Sequence, residues 1–166
     1  MKVHRLVLDP NTNSPIVILQ AEETGIMLPI WIGIFEAHAI AMKMEGIEAP
    51  RPMTHDLLSN TISVMNGMVE RVEVVDLVDN TYFARVYFQV RDQRYSIDSR
   101  PSDAIALALR APSPIFVANH VLDQSKIDPA QEGEGGEAPP EGESEEDEWT
   151  RILKNYNPPG GRDKIN

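Results

Sequence analysis

Tyr95-Ser96-Ile97-Asp98-Ser99-Arg100-Pro101-Ser102-Asp103-Ala104-Ile105-Ala106-Leu107 decides how this chain is read. Arg94–Asp98 alternates like a short strand, and Pro101 to Arg110 has helical character, with Pro101 near the start, where no N–H is needed. The same order occurs 65 residues earlier, where Ile30-Trp31-Ile32 leads into Ala39-Ile40-Ala41-Met42. Each copy is preceded by two strand-like segments. The chain therefore reads as α+β, a mostly antiparallel sheet built from two β-β-β-α units with an extra helix between them. A plainer account is that Ala-Ile-Ala-Leu is what any helix facing a sheet looks like. The repeated element order favours duplication.

Outward from this stretch the elements follow from local chemistry. Val69–Val78 and Tyr82–Val90 form a hairpin about Asp79-Asn80, since Val72 and Val74, and then Tyr82, Ala84, Val86, Phe88 and Val90, recur at every second position. Ile16–Leu19 and Ile26–Ile32 read as strands, with Pro29 pointing to an edge or bulge. Phe35–Met44 is a helix stopped by Gly46. A further helix begins at Thr54-His55-Asp56 with Thr54 as N-cap, presents Leu57, Leu58, Ile62 and Met65 as its apolar face, and ends at Gly67. Ile115-Phe116-Val117 is a last short strand.

Of the 166 residues, 42% are hydrophobic and 25% charged, ordinary values for a globular protein. The net charge of −11 is unevenly held. Residues 1–127, the expected domain, carry 11 Lys and Arg against 15 Asp and Glu. Residues 128–148 carry ten acids and no base among Gly and Pro, and are expected to be a disordered linker. In residues 149–166, Trp149, Ile152, Leu153 and Tyr156 recur at roughly helical spacing, so a short C-terminal helix and tail are expected. There is no cysteine, which excludes disulfides, thiolate metal sites and Cys nucleophiles. The opening residues lack a signal-peptide core, and the longest uncharged run, Thr24 to Phe35, is too short to span a bilayer. A cytoplasmic protein without membrane contact is the expectation.

Three segments resemble the bifunctional nuclease family: Leu28-Pro29-Ile30-Trp31-Ile32-Gly33 with Glu36-Ala37; Arg51-Pro52-Met53-Thr54-His55-Asp56-Leu57-Leu58; and Asp98 to Ala108. Pro114-Ile115-Phe116-Val117 fits as well, so the resemblance covers about residues 1–123. It implies an α+β fold on an antiparallel sheet and an activity named as DNase and RNase in plant members. It carries over no settled catalytic residues. Where bacterial members often continue into a UvrB/UvrC-like module, this sequence has the acidic stretch.

Phosphodiester hydrolysis wants hard oxygen ligands for Mg²⁺ or Mn²⁺, a cation to hold phosphate and an activated water. Asp98 and Asp103 are candidates for the catalytic and metal-binding carboxylates, with Glu36 a third metal ligand if the two units pack about a pseudo-twofold. Arg100 and Ser102 are candidates for phosphate binding, and His55 for the general base. Against this stands a structural account of the same residues. Ser99 or Ser102 would cap the helix, Asp103 and Glu36 would favour helix dipoles, Arg100 would pair with nearby acids, and His55 would be exposed. Neighbours on a helix diverge, so His55 and Asp56 are not expected to grip one atom.

Arg85, Arg91, Arg94, Arg100 and Arg110 fall late in the domain, where scattered, solvated arginines are the default. The absence of a basic stripe and an aromatic content of 6% weigh against a strong nucleic-acid groove. Two functions remain in play. One is a metal-assisted nuclease of low sequence specificity acting on DNA and RNA. The other is a non-enzymatic regulatory or assembly module that binds a small anion or a protein. Self-association is expected in either case, through strand edges or the Met-rich helix face.

Overall fold

Asp79 and Asn80 both take positive φ, 48° and 58°, which closes a two-residue turn of the type whose twist matches a hairpin. Around it β4 (Gly67–Val78) and β5 (Thr81–Val90) pair antiparallel from Val78↔Thr81 to Gly67↔Val90. Arg91 at φ 55° turns the chain into β6 (Gln93–Ser99), which continues antiparallel from Val90↔Gln93 to Ala84↔Ser99. The computed structural model describes residues 1–125. The expected linker 128–148 and C-terminal helix 149–166 lie outside the described residues.

The first unit has the same plan. β1 (Lys2–Leu8), β2 (Pro15–Gln20) and β3 (Met27–Trp31) form an antiparallel three-stranded sheet in that order, followed by α1 (Ile34–Met44). Then come α2 (Thr54–Val64), the strands β4 to β6, α3 (Pro101–Arg110), β7 (Ile115–Val117) and α4 (Asn119–Ser125). The second sheet has the order β6-β5-β4-β7, antiparallel except that β7 runs parallel to β4. The fold is α+β with two β-β-β-α units and α2 between them, as the repeat predicts. Pro29 lies in β3, an edge strand, where a missing N–H costs least.

The inward row of β5, Ala84, Val86 and Phe88, is buried together with Val69, Val72 and Val74 of β4. Above them, α3 buries Pro101, Ser102 and every residue from Ala104 to Ala108. Its alanines lack bulk, so α1, whose Ala37, Ala39, Ile40 and Ala41 are also buried, packs directly against it. Gly46, at φ 65°, follows the end of α1 in the left-handed conformation expected there.

The second helix departs from expectation. Its N-cap is Met53, not Thr54, and Asp56 Oδ2 accepts the Met53 N–H at 2.9 Å. Of its expected apolar face only Ile62 is buried, while Leu57, Leu58 and Met65 are 61%, 43% and 47% exposed. The helix ends through Asn66 at φ 56° rather than Gly67. Gly67 opens β4 instead, where a Cβ would press on the carbonyl oxygens of Ile62 and Gln89 at 2.9 and 3.0 Å.

Arg110 is a further correction, for it is not a solvated arginine. Its side chain is only 6% exposed and joins three helices. Nε donates to Asp56 Oδ1 of α2 at 2.6 Å, Nη1 to the Ala106 carbonyl of α3 at 3.0 Å, and Nη2 to the Ala39 carbonyl of α1 at 3.1 Å. Partial burial raises the Asp56 carboxyl, but the Met53 N–H and Arg110 outweigh it and hold it below the usual carboxylate range. Replacing Arg110 by Met would leave Asp56 without its guanidinium partner and remove the side-chain bonds that tie α3 to the Ala39 carbonyl of α1 and to its own Ala106 carbonyl. Chemical denaturation of Arg110→Met should give a loss of about 2–4 kcal/mol.

Candidate functional site

Gly33 is the N-cap of α1, and Glu36 is the third residue of that helix. The Glu36 side chain folds back over Gly33 so closely that a Cβ there would collide with its Oε2. A glycine before the helix is thus what lets Glu36 lie across the helix start. From there Glu36 Oε1 receives Nη1 of Arg100 at 2.7 Å, joining the first unit to the second.

Arg100 is the N-cap of α3, in extended conformation with no side-chain cap bond, and Pro101 fixes the entry to the helix. Its guanidinium grips Asp103 with two nitrogens, Nε to Oδ2 at 2.7 Å and Nη2 to Oδ1 at 3.1 Å. Asp103 Oδ1 also lies 3.0 Å from His55 Nε2 of α2. The result is a chain of contacts, His55–Asp103–Arg100–Glu36, drawn from the first turns of α1 and α2 and the start of α3.

Exposure is graded along this network. The side chains of His55, Glu36 and Asp103 are 12%, 18% and 32% exposed, and that of Arg100 is 64% exposed. His55 is therefore not the solvent-facing residue that helix capping alone implies. Its neighbour Asp56 turns to Arg110, as the divergence of adjacent helical residues requires. Partial burial raises the Asp103 carboxyl, but the bonds from Arg100 and His55 outweigh that effect and leave it below its ordinary range. Asp103, with Glu36 behind it, raises Arg100 further above its already high value.

The remaining candidates lie elsewhere. Ser102 is 6% exposed and packs into the core. Ser99 donates its hydroxyl to the Arg100 carbonyl, so neither serine caps α3. Asp98 is exposed on β6 opposite Arg85, whose Nη1 goes to Ser96 Oγ. Among the described residues no group of three or more His, Asp or Glu is arranged to hold a metal ion. Asp98, Asp103 and Glu36 are not brought together as a ligand set, and both Asp103 oxygens are engaged by Arg100. In this arrangement the donor set does not fit a resident Mg²⁺ or Mn²⁺. Nor is any helix among the described residues long and apolar enough to cross a membrane.

Residues 17–130 match the family model described as the bifunctional nuclease domain. An uncharacterized protein of Mycobacterium tuberculosis (strain ATCC 25618 / H37Rv) is 40% identical over 115 residues, covering 69% of this chain and 68% of that protein. Bifunctional nuclease 2 of Arabidopsis thaliana is 30% identical over 135 residues, covering 73% of this chain but 41% of the plant protein. Bifunctional nuclease 1 of Oryza sativa subsp. japonica is 25% identical over 116 residues, 68% of this chain and 35% of the rice protein. The chain thus spans less than half the length of these plant relatives.

The depressed Asp103 pKa has a consequence for stability. A carboxyl whose folded pKa lies below its unfolded value of about 3.9 stabilises the fold fully above that value. The contribution disappears as pH falls through the folded pKa. Urea midpoints measured from about pH 5 to about pH 2.5 should therefore fall less steeply for Asp103→Asn than for wild type.

Proposed function

The chain belongs to the bifunctional nuclease domain family, and from that premise we propose that it hydrolyses phosphodiester bonds of DNA and RNA with low sequence specificity at the His55–Asp103–Arg100–Glu36 network. The observation that carries this reading is a histidine bonded to a carboxylate that is itself gripped by an exposed arginine. With Asp103 ionised, the hydrogen on the His55 ring belongs on Nε2, facing Asp103. Nδ1 is then the lone-pair nitrogen that can take a proton from an attacking water. Asp103 orients the ring and stabilises its charged form once the proton has arrived.

Arg100 has the phosphate-binding part. A guanidinium carries five N–H groups, and three go to Asp103 and Glu36. The other two are free of those bonds on a side chain that is 64% exposed. Two carboxylates therefore hold the guanidinium in place without exhausting its donors. This suits bidentate recognition of phosphate oxygens.

One cation between two carboxylates leaves the network short of positive charge for a phosphodiester. A divalent cation, Mg²⁺ or Mn²⁺, belongs to the proposal for that reason, as a companion of the phosphate, and no step is assigned to it. The same shortage favours the second reading. If Arg100 serves only to neutralise Glu36 and Asp103, the junction is an internal brace, and the protein is a regulatory or assembly module that binds a small anion or a protein.

The two readings separate in one experiment. Wild type, His55→Ala, Arg100→Ala, Asp103→Asn and Asp98→Asn are purified in parallel and assayed on single- and double-stranded DNA and RNA. Loss of His55 should cost about 100-fold or more in rate, with comparable losses for Arg100→Ala and Asp103→Asn. Asp98→Asn, outside the network, should lose less than any of these. Chelator should slow cleavage by wild type, because the cation that accompanies the phosphate is withdrawn. Equal activity in all five preparations would assign the cleavage to a contaminant and leave the module reading in its place.

A further inference from the structure

Strand β6 is the edge of the four-stranded sheet, and no residue along it is buried. Its register with β5 runs without a bulge from Gln93 to Ser99, whereas that of β4 with β5 is interrupted twice. It contains neither proline nor lysine, the common protections of an open edge. Its core-side row is uncovered as well. Tyr95 and Ile97 lie opposite the buried Phe88 and Val86, yet they are 44% and 54% exposed, because β6 lies past the cover of the helices. The strand therefore presents unpaired backbone along one side and two large apolar side chains on a face that the rest of the sheet buries.

We propose that β6 is a homodimer interface, pairing antiparallel with β6 of a second copy about a twofold axis through Ser96. The sequence of the strand selects both the partner and the register. A twofold axis at Ser96 places each residue opposite the one equally far beyond Ser96 in the other copy. Arg94 then faces Asp98 twice on the outer side, and Tyr95 faces Ile97 twice on the core side. Both kinds of pair stabilise antiparallel strands. Moving the axis one residue either way breaks the match. An axis at Tyr95 sets Asp92 against Asp98, and an axis at Ile97 sets Arg94 against Arg100. An axis between two residues would place inward side chains opposite outward ones. Self-complementarity about a single residue is the signature of an isologous interface, and a different partner would not require it.

The charges within the chain leave this pairing available. Arg85, directly across from Asp98, donates to Ser96 Oγ, so Asp98 keeps its carboxylate for a partner strand. Arg94 holds Glu70 through Nε at 2.9 Å, yet its side chain is 78% exposed and has its Nη groups to offer. The interface also gives a role to an exposed acid that lies outside the His55–Asp103 network, and it does not depend on the nuclease reading.

Light scattering at tens of micromolar should find wild type as a dimer or a multiple of one. Arg94→Asp and Asp98→Arg each set like charges opposite one another in both pairs and should weaken association at least about tenfold. Mixed in equal amounts, the two variants restore opposite charges at both pairs, so the mixture should dimerise where neither variant does alone. Ile97→Lys, which leaves the outer charges intact, should also give a monomer. Thermal melts followed by circular dichroism check that each chain is folded. A monomeric wild type overturns the proposal. So do reversed variants that remain dimeric alone, or a mixture that stays monomeric.

Discussion

Burial of α3 is the constraint on which the other parts of this molecule depend. Pro101, Ser102 and every residue from Ala104 to Ala108 are buried, so a shift of this helix on the sheet would disturb most of its side chains. Charge is confined to its two ends, and each end is bonded to both other main helices. At the start, Arg100 reaches Glu36 of α1 while Asp103 reaches His55 of α2. At the finish, Arg110 reaches the Ala39 carbonyl of α1 and Asp56 of α2. Consecutive residues of α2 thus serve opposite ends of α3. His55 is held in position by a helix whose far end is tied down by the residue beside it.

The two ends differ in solvent access, and that difference governs what each can do. Arg110 is nearly sealed, and its three acceptors use it as a clamp between helices. Such a cation is costly to remove and has no surface to offer a ligand. Arg100 has two carboxylates as partners, where Arg110 has one carboxylate and two carbonyls, but it is mostly in water. Its ion pairs contribute less to stability, since exposed pairs are screened. What they supply is orientation of a guanidinium that can still meet another anion. One helix therefore carries a structural arginine and an available one, and their exposures distinguish them where residue type does not.

Much of the fold was legible in the chain because its signals are local or repeated. Alternation in β5 and the Asp79-Asn80 turn define the hairpin within a few residues of one another, and the 65-residue offset exposes the two units. The errors fell where a particular hydrogen bond or the packing around a helix overrides a preference of residue type. Thr54 is a better N-cap residue than Met53 by type, but Asp56 satisfies the Met53 N–H and moves the helix start. Leu57, Leu58 and Met65 have helical spacing, yet the sheet has room for only Ile62 beneath α2. The network itself spans 48 residues from His55 to Asp103 and 64 from Glu36 to Arg100. No spacing rule reports such contacts. The duplicated units were the available signal, since matching helix starts packed together bring first-turn acids close. Gly33 carried a further clue, a glycine three residues before an acid at a helix start.

The sheet edges explain why a domain with a closed core still leaves apolar side chains in water. Helices α1 and α3 pack on one another through small residues, and of the two it is α3 that lies against β4 and β5. The inward row of β5 lies beneath α3 and is buried, while the inward row of β6, one strand further out, is not.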